Sequence, residues 1–113
     1  MRIYNVTVHV EPSVEADWLN YMVNQHIPDV MNTGCFTQAR ISKIESDQDQ
    51  GGLSYSIQYT ANSKEKLQEY HLNFAPQLQA DHLQKFGQKC LAFRTEMEVL
   101  AHFVSNSNAH AHD

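Results

Sequence analysis

The order in which hydrophobic periods follow one another constrains the fold of this chain more than any single motif. Apolar and polar residues alternate over residues 3–10 and 53–61, and this two-residue period is typical of half-buried β-strands. Residues 35–45 and 90–102 are predicted to form two further strands. Apolar residues recur at helical spacing between the first and second strands and between the third and fourth. The predicted order is therefore strand, helix, strand, strand, helix, strand.

This order predicts a known supersecondary arrangement. Two strand–helix–strand halves joined by a hairpin match the ferredoxin-like βαββαβ pattern. Right-handed crossovers place both helices on one face of a four-stranded antiparallel sheet, with the first and third strands central. We therefore expect an α+β fold with one domain over residues 1–104. The strongest loop signal is SDQDQGG at residues 46–52, and the polar tail 105–113 is predicted to be disordered.

Both helices have start or stop signals in the sequence. Ser13 is the predicted cap of the first helix, which runs to about residue 33. Asn62 is the predicted cap of the second, with Glu65 as its capping-box partner three residues on. Pro76 interrupts the second helix, and Gly87 is its predicted stop.

The apolar face of each strand is predicted to pack beneath the helices. In the last strand this face carries Leu91, Phe93, Met97 and Val99. The second face of the sheet then carries mainly polar residues: Asn5, Thr7, His9, Gln38, Arg40, Ser56, Gln58, Arg94 and Glu96.

Two interpretations of this second face follow from the pattern. Antiparallel sheets commonly leave one face to solvent, which is the simpler interpretation. Alternatively, two sheets meet face to face in a homodimer and enclose a polar cavity. The alternation alone favours the solvated face, but Ile3, His9 and Leu100 on that face are unfavourable in contact with water, and these three residues predict the homodimer.

His26 is the strongest candidate for chemistry. It falls on an apolar helical stripe whose other members recur every four residues: Trp18, Met22 and Val30. Pro28 lacks a backbone N–H, so an interruption of the helix is expected beside His26, and Asp29 could orient the imidazole. The alternative is a core histidine bonded to a carbonyl that Pro28 leaves without a donor. Both interpretations stay open at the level of sequence.

Composition excludes several classes of function. The formal net charge is −5 with only eight Lys and Arg residues, which argues against binding nucleic acid or an anionic membrane surface. No apolar run is long enough to span a bilayer. Cys35 and Cys90 fit neither a metal site nor a disulfide framework, so a cytoplasmic protein without metal or cofactor is expected.

Several short stretches together resemble the domain-of-unknown-function 4286 family. The clearest are His26-Ile27-Pro28-Asp29-Val30, Thr33-Gly34-Cys35-Phe36-Thr37 and Tyr55-Ser56-Ile57-Gln58-Tyr59, with related motifs spread over about residues 2 to 100. The resemblance implies the dimeric α/β-barrel superfamily, in which ferredoxin-like subunits pair through their sheets. It implies no established activity and supplies no catalytic residues.

Two functional hypotheses remain. In the first, the dimer holds a small polar molecule in a pocket between sheet and helices, with cofactor-free acid–base chemistry at His26 and Asp29. Its candidate ligand-binding residues are His9, Arg40, Gln58 and Arg94. In the second, the protein is a non-catalytic dimeric module that binds a ligand or a protein partner. Converging polar groups in a closed cavity would favour the first hypothesis.

Overall fold

A computed structural model describes residues 1–45 and 53–106. The predicted loop at 46–52 and residues 107–113 of the predicted tail lie outside this described part. The strands and α-helices follow in the order β1 (Arg2–Val10), α1 (Glu15–Tyr21), α2 (Ile27–Met31), β2 (Gln38–Ile44), β3 (Leu53–Ala61), α3 (Lys64–Asn73), α4 (Ala75–Phe86) and β4 (Cys90–Glu98).

The four strands form one antiparallel sheet in the order β2-β3-β1-β4. The first and third strands are central, and the ferredoxin-like α+β fold predicted from the sequence is confirmed. The helices pack on one face of the sheet, because the buried strand residues and the buried helix residues form a single hydrophobic cluster. Its fully buried members include Trp18 from α1, Ile57 from β3 and Leu67 from α3.

The pairing of β1 with β3 shows why apolar and polar residues alternate most clearly in these two strands. Tyr4 lies opposite Tyr59, and Val8 lies opposite Tyr55, with all four side chains buried beneath the helices. Side chains on a strand alternate between the two faces, so every second residue of both strands reaches the core. Burial of these side chains contributes about 1.5–3 kcal/mol each to the folded state.

The face predicted for β4 is wrong. Arg94 lies opposite Val6 and Glu96 lies opposite Tyr4, which places both on the helix side of the sheet. Phe93 instead lies opposite Thr7, on the second face, which we call the outer face. The prediction failed because it assumed that the apolar face of every strand packs against the helices of its own chain.

The outer face of β4 is consequently apolar and open. Leu91, Phe93 and Met97 are 51%, 64% and 39% exposed. On β2 the outer face is polar, as predicted, because Gln38 lies opposite Thr60 and Arg40 opposite Gln58. The outer face therefore combines a polar side over β2 and β3 with an apolar edge along β4.

Two strand boundaries differ from the prediction. β2 begins at Gln38, because Cys35 and Phe36 are buried in the connection that precedes it. The Thr37 N–H donates to the Thr60 carbonyl at 2.8 Å and aligns the start of the strand. β4 ends at Glu98 and not at residue 102.

The helix caps also differ from the prediction. Ser13 lies in a 3₁₀ turn, Pro12–Val14, and does not cap α1. Ser63, not Asn62, caps α3, since the Ser63 hydroxyl accepts a hydrogen bond from the Lys66 N–H at 3.2 Å. Ser63 has the extended backbone that an N-cap requires.

The second predicted helix is divided in two. Pro76 falls in the first turn of α4, where its missing N–H costs nothing, and the chain bends at Phe74 between α3 and α4. Gly87 ends α4, as expected, with a positive φ of 58° that favours glycine.

The observed cap gives a test of the fold. Ser63→Ala should lower the free energy of unfolding by about 1 kcal/mol, because one N–H at the start of α3 loses its acceptor. Asn62→Ala is the matched control and should change it by less than about 0.5 kcal/mol, since Asn62 is exposed. Urea unfolding measures both. The opposite order of the two effects would restore Asn62 as the cap.

Candidate functional site

A π-helical turn brings His26 to the sheet. The turn spans Met22–His26 and joins α1 to α2. Pro28 has no N–H for the carbonyl four residues earlier, and the Ile27 N–H donates to the Met22 carbonyl across five residues. The interruption expected beside His26 is therefore a widened turn. Single π-helical turns of this kind are frequent at functional sites.

The His26 ring is half-buried and lacks the partner that a structural role would require. Its Nδ1 atom is buried and makes no hydrogen bond within the described residues. The ring lies near two aromatic neighbours, with centroid distances of 5.7 Å to Tyr21 and 5.9 Å to His82. Asp29 is exposed and forms no described hydrogen bond to the ring, so it influences His26 through its charge alone.

His26 lines a cavity of about 40 Å³ between the sheet and the helices. One buried water needs a cavity of at least about 10–15 Å³, so this cavity has room for about three waters. The lining side chains that carry a polar group are Tyr4, His26, Tyr59, Tyr70, Gln79, His82 and Arg94. In the part of the chain that the structure describes, no carboxylate belongs to this lining.

A hydrogen bond from Trp18 fixes the second histidine of the cavity. The Trp18 indole Nε1–H donates to His82 Nε2 at 2.9 Å. An indole nitrogen can only donate, so Nε2 of His82 must accept, and the proton of the neutral imidazole is then on Nδ1. His82 can therefore donate a hydrogen bond from Nδ1.

Both histidines are neutral at pH 7. The pKa of His82 is lowered to about 4, mainly by burial, with smaller contributions in the same direction from the nearby His26 imidazole and the Arg94 charge. Burial also lowers the pKa of His26, while Asp29 and Asp81 act in the opposite direction.

The tyrosine hydroxyls of the cavity stay protonated. Burial raises the pKa of Tyr4 and of Tyr70, and the Arg94 charge only partly offsets this effect. Both phenols can therefore donate hydrogen bonds at neutral pH. Within residues 1–45 and 53–106, Arg94 is then the one charged group that lines the cavity. The nearby Glu96 carboxylate is hydrogen-bonded to His71 at 2.9 Å.

The predicted site residues divide between the two faces of the sheet. His26 and Arg94 line the same cavity, although Arg94 was expected on the outer face. Arg40, Gln58 and His9 lie on the outer face, where the His9 Nδ1 is 3.2 Å from the Ser54 hydroxyl. The structure therefore does not bring the six predicted residues together at one site.

His82 was missed as a site residue, although the sequence contains a signal for it. Leu78, His82 and Phe86 recur every four residues, as Trp18, Met22 and His26 do in the first helix. From the sequence alone, His71 and His82 fall eleven residues apart on one predicted helix, about 16 Å at helical rise, which is too far to share a metal ion. In the structure they lie on separate helices, His71 on α3 and His82 on α4.

Other candidate chemistry is not assembled in the described part of the chain. Residues 1–45 and 53–106 contain no group of three His, Cys, Asp or Glu side chains placed to hold a metal ion. Cys35 and Cys90 are buried and form no disulfide. Burial raises the pKa of the Cys90 thiol to about 11, which disfavours the nucleophilic thiolate.

A larger concavity, of about 680 Å³, lies at the surface between α1 and the end of α4. Four of its eleven described lining residues carry amide side chains, three are the charged residues Asp17, Lys85 and Lys89, and none of the described ones is a histidine or a cysteine. The smaller cavity beneath the helices is therefore the better candidate for chemistry.

Comparison with known families decides the classification. The family described as "Domain of unknown function (DUF4286)" matches residues 1–100. The chain belongs to the DUF4286 family. This agrees with the resemblance found in its sequence motifs, and the family description assigns no activity. None of the curated proteins matches the chain.

Two solved structures are similar to this DUF4286 chain. An ethyl tert-butyl ether D (EthD) family protein from Bacillus halodurans is 15% identical, with a TM-score of 0.65 over 88% of this chain and 100% of that one. A dimeric ferredoxin-like protein from an uncultured marine organism is 14% identical, with a TM-score of 0.63 over 93% of this chain and 100% of that one. At such identities the similarity shows the fold alone. Within the described residues, no helix is long and apolar enough to span a membrane.

The buried state of His82 predicts an acid-sensitive fold. Between pH 6.5 and about 4 the unfolded chain binds a proton at His82 that the folded chain does not, so stability falls as pH falls. The loss should reach roughly 3 kcal/mol at pH 4. Urea unfolding at stepped pH measures it.

Two matched variants test whether His82 causes this loss of stability. His82→Gln should flatten this part of the stability profile, because the titrating group is gone. His9→Gln removes an imidazole from the outer face and should leave the slope in place. An unchanged slope in His82→Gln would show that His82 is not buried in its neutral form.

Proposed function

We propose that this DUF4286 protein is a homodimer that holds a small anionic molecule between its sheet and its helices, where His26 exchanges a proton with it. The observation that carries the proposal is the buried Nδ1 of His26, which has no described partner and belongs to a cavity where Arg94 is the only charged group among the described lining residues. A buried imidazole nitrogen without a hydrogen bond costs about 1–3 kcal/mol, and a bound ligand would remove this cost.

The lining groups support the choice of ligand charge. Arg94, Gln79 and the hydroxyls of Tyr4 and Tyr70 are hydrogen-bond donors, and no carboxylate competes with them. A carboxylate ligand would satisfy several of these donors at once and pair with the guanidinium. The volume of about 40 Å³ suits a compact acid of a few heavy atoms.

The proposed chemistry is cofactor-free proton transfer. A ligand that enters as its neutral acid can give its proton to His26, which is neutral at pH 7, and it then stays in the cavity as the anion beside the imidazolium. Arg94 and the tyrosine hydroxyls would stabilise the negative charge that develops on the ligand. His82, oriented by Trp18, would donate from Nδ1 and keep the ligand in position. Asp29 would act only by raising the basicity of His26 through its charge.

The proposed dimer forms through the outer faces of two sheets. Leu91, Phe93 and Met97 leave an apolar edge exposed on β4, and single-chain proteins rarely leave such a strip in water. A similar ferredoxin-like structure is described as dimeric, which supports a dimer. In this arrangement Arg40, Gln58 and His9 lie in or beside the subunit interface, not in the ligand cavity.

A second candidate function is a non-catalytic dimeric module. The observation that favours it is the outer face itself, where Arg40, Gln58 and His9 could contact a protein partner or a ligand between subunits. Under this alternative the helix-side cavity has no ligand. Ligand binding by the cavity therefore separates the two candidates.

Titration with acetate tests the cavity, with acetamide as the neutral comparison of the same size. Acetate should produce saturable NMR shifts at His26 and Tyr70, and acetamide should bind more weakly because it cannot pair with Arg94. Arg94→Gln should weaken acetate binding about 10-fold or more, since a charged hydrogen bond contributes about 1.5–3 kcal/mol. Arg40→Gln is the matched control on the opposite face and should bind acetate normally.

His26→Asn completes this test. The described structure contains no hydrogen bond from Nδ1 to lose, so the variant should change the free energy of unfolding by less than about 0.5 kcal/mol while weakening acetate binding. A loss of about 1–2 kcal/mol with normal acetate binding would support the core-histidine alternative. Failure of both acetate and acetamide to bind would contradict the ligand proposal and favour the non-catalytic module.

A further inference from the structure

Residues 99–104, which we call the C-terminal arm, continue beyond the sheet without secondary structure. The last described backbone hydrogen bond runs from the Val99 N–H to the Met1 carbonyl at 3.0 Å. Past that point Leu100, Phe103 and Val104 are 87%, 91% and 78% exposed. The arm thus presents three large apolar side chains with almost no contact to its own chain.

The residues of the arm are unfavourable in contact with water. The sequence VLAHFV contains no proline and no formally charged residue at pH 7 with neutral histidine. Short, uncharged segments rich in β-branched and aromatic residues aggregate when they are left exposed. A folded chain that keeps such a segment therefore needs a surface that covers it.

We infer that the C-terminal arm packs on the second subunit and extends the interface between the two sheets. This inference rests on the dimer of the proposed function. In an extended chain Phe103 continues the side-chain parity of Phe93 and Met97, the exposed outer-face residues of β4. The arm is therefore continuous with the apolar edge that the proposed dimer buries.

The dimensions and the pattern of the arm agree with this placement. Residues 100–104 reach about 17 Å when extended, and packed sheets lie about 10 Å apart, so the arm can cross to the partner. Leu100 and Val104 point to the side opposite Phe103 in an extended chain. Apolar residues on both sides are typical of a segment that is covered on both faces.

Two truncations test the inference. A chain ending at Val99 lacks most of the arm, and a chain ending at Val104 lacks only the polar residues 105–113. Sedimentation equilibrium should give a dimer dissociation constant about 10-fold or more above the full chain for the first, and an unchanged constant for the second. The matched point variants are Phe103→Ser, expected to weaken the dimer, and Ala101→Ser, expected to leave it unchanged.

The outcomes separate the arm from the dimer. A full-length chain that is monomeric at every concentration would overturn the proposed dimer and the arm contact with it. A dimer whose dissociation constant is the same with and without the arm would overturn the arm contact alone. A loss of thermal stability on arm removal that does not vary with protein concentration would also overturn it, because the arm would then pack on its own subunit.

Discussion

The register between β1 and β4 determines which side chains reach the cavity and which lie on the outer face. Val6 lies opposite Arg94, and Thr7 lies opposite Phe93. A shift of one residue would exchange the two faces of β4, because side chains alternate along a strand. In the observed register, Arg94 points towards the helices and Phe93 away from them. One set of backbone hydrogen bonds thus supplies a cation to the cavity and an apolar edge to the outer face.

The helices contribute the second half of the cavity. Pro28 and the π-helical turn leave His26 at the end of a widened turn, and the Trp18 indole holds His82 beside it. Neither the widened turn at His26 nor the buried imidazole of His82 is the arrangement that would make a core most stable. Burial lowers the pKa of both histidines, which means that folding keeps two neutral imidazoles where apolar side chains would pack without that cost. Departures of this kind from local packing rules are expected at functional sites.

The sequence predicts the fold because β1 and β3 are central strands. Their alternation has one buried face and one polar face, so the pattern in Tyr4, Val8, Tyr55 and Tyr59 indicates the core directly. The order of elements then limits the topology to the ferredoxin-like arrangement. The helix caps were less predictable, since Asn62 and Ser63 are adjacent and both are good cap residues.

The edge strand and the site were less predictable for a physical reason. In β4 the apolar residues face outwards, so a rule that directs apolar residues towards the chain's own helices inverts the strand and misplaces Arg94. His26 was found from its stripe and from Pro28. Its neighbours Tyr4, Tyr70 and Gln79 are far apart in the sequence and are brought together only by the fold. His82 lies on an apolar helical stripe of its own, like His26.

The register can be tested most directly by isotope-filtered NOE spectroscopy on a mixed dimer of labelled and unlabelled subunits. Arg94 side-chain protons should show contacts to the Tyr4 ring within one subunit, since both line the cavity. Phe93 ring protons should show none to Tyr4, and beside those to its own neighbour Thr7 they should show contacts to the other subunit. Contacts between Phe93 and Tyr4 within one subunit would contradict the observed register, and with it both the charged cavity and the apolar outer edge.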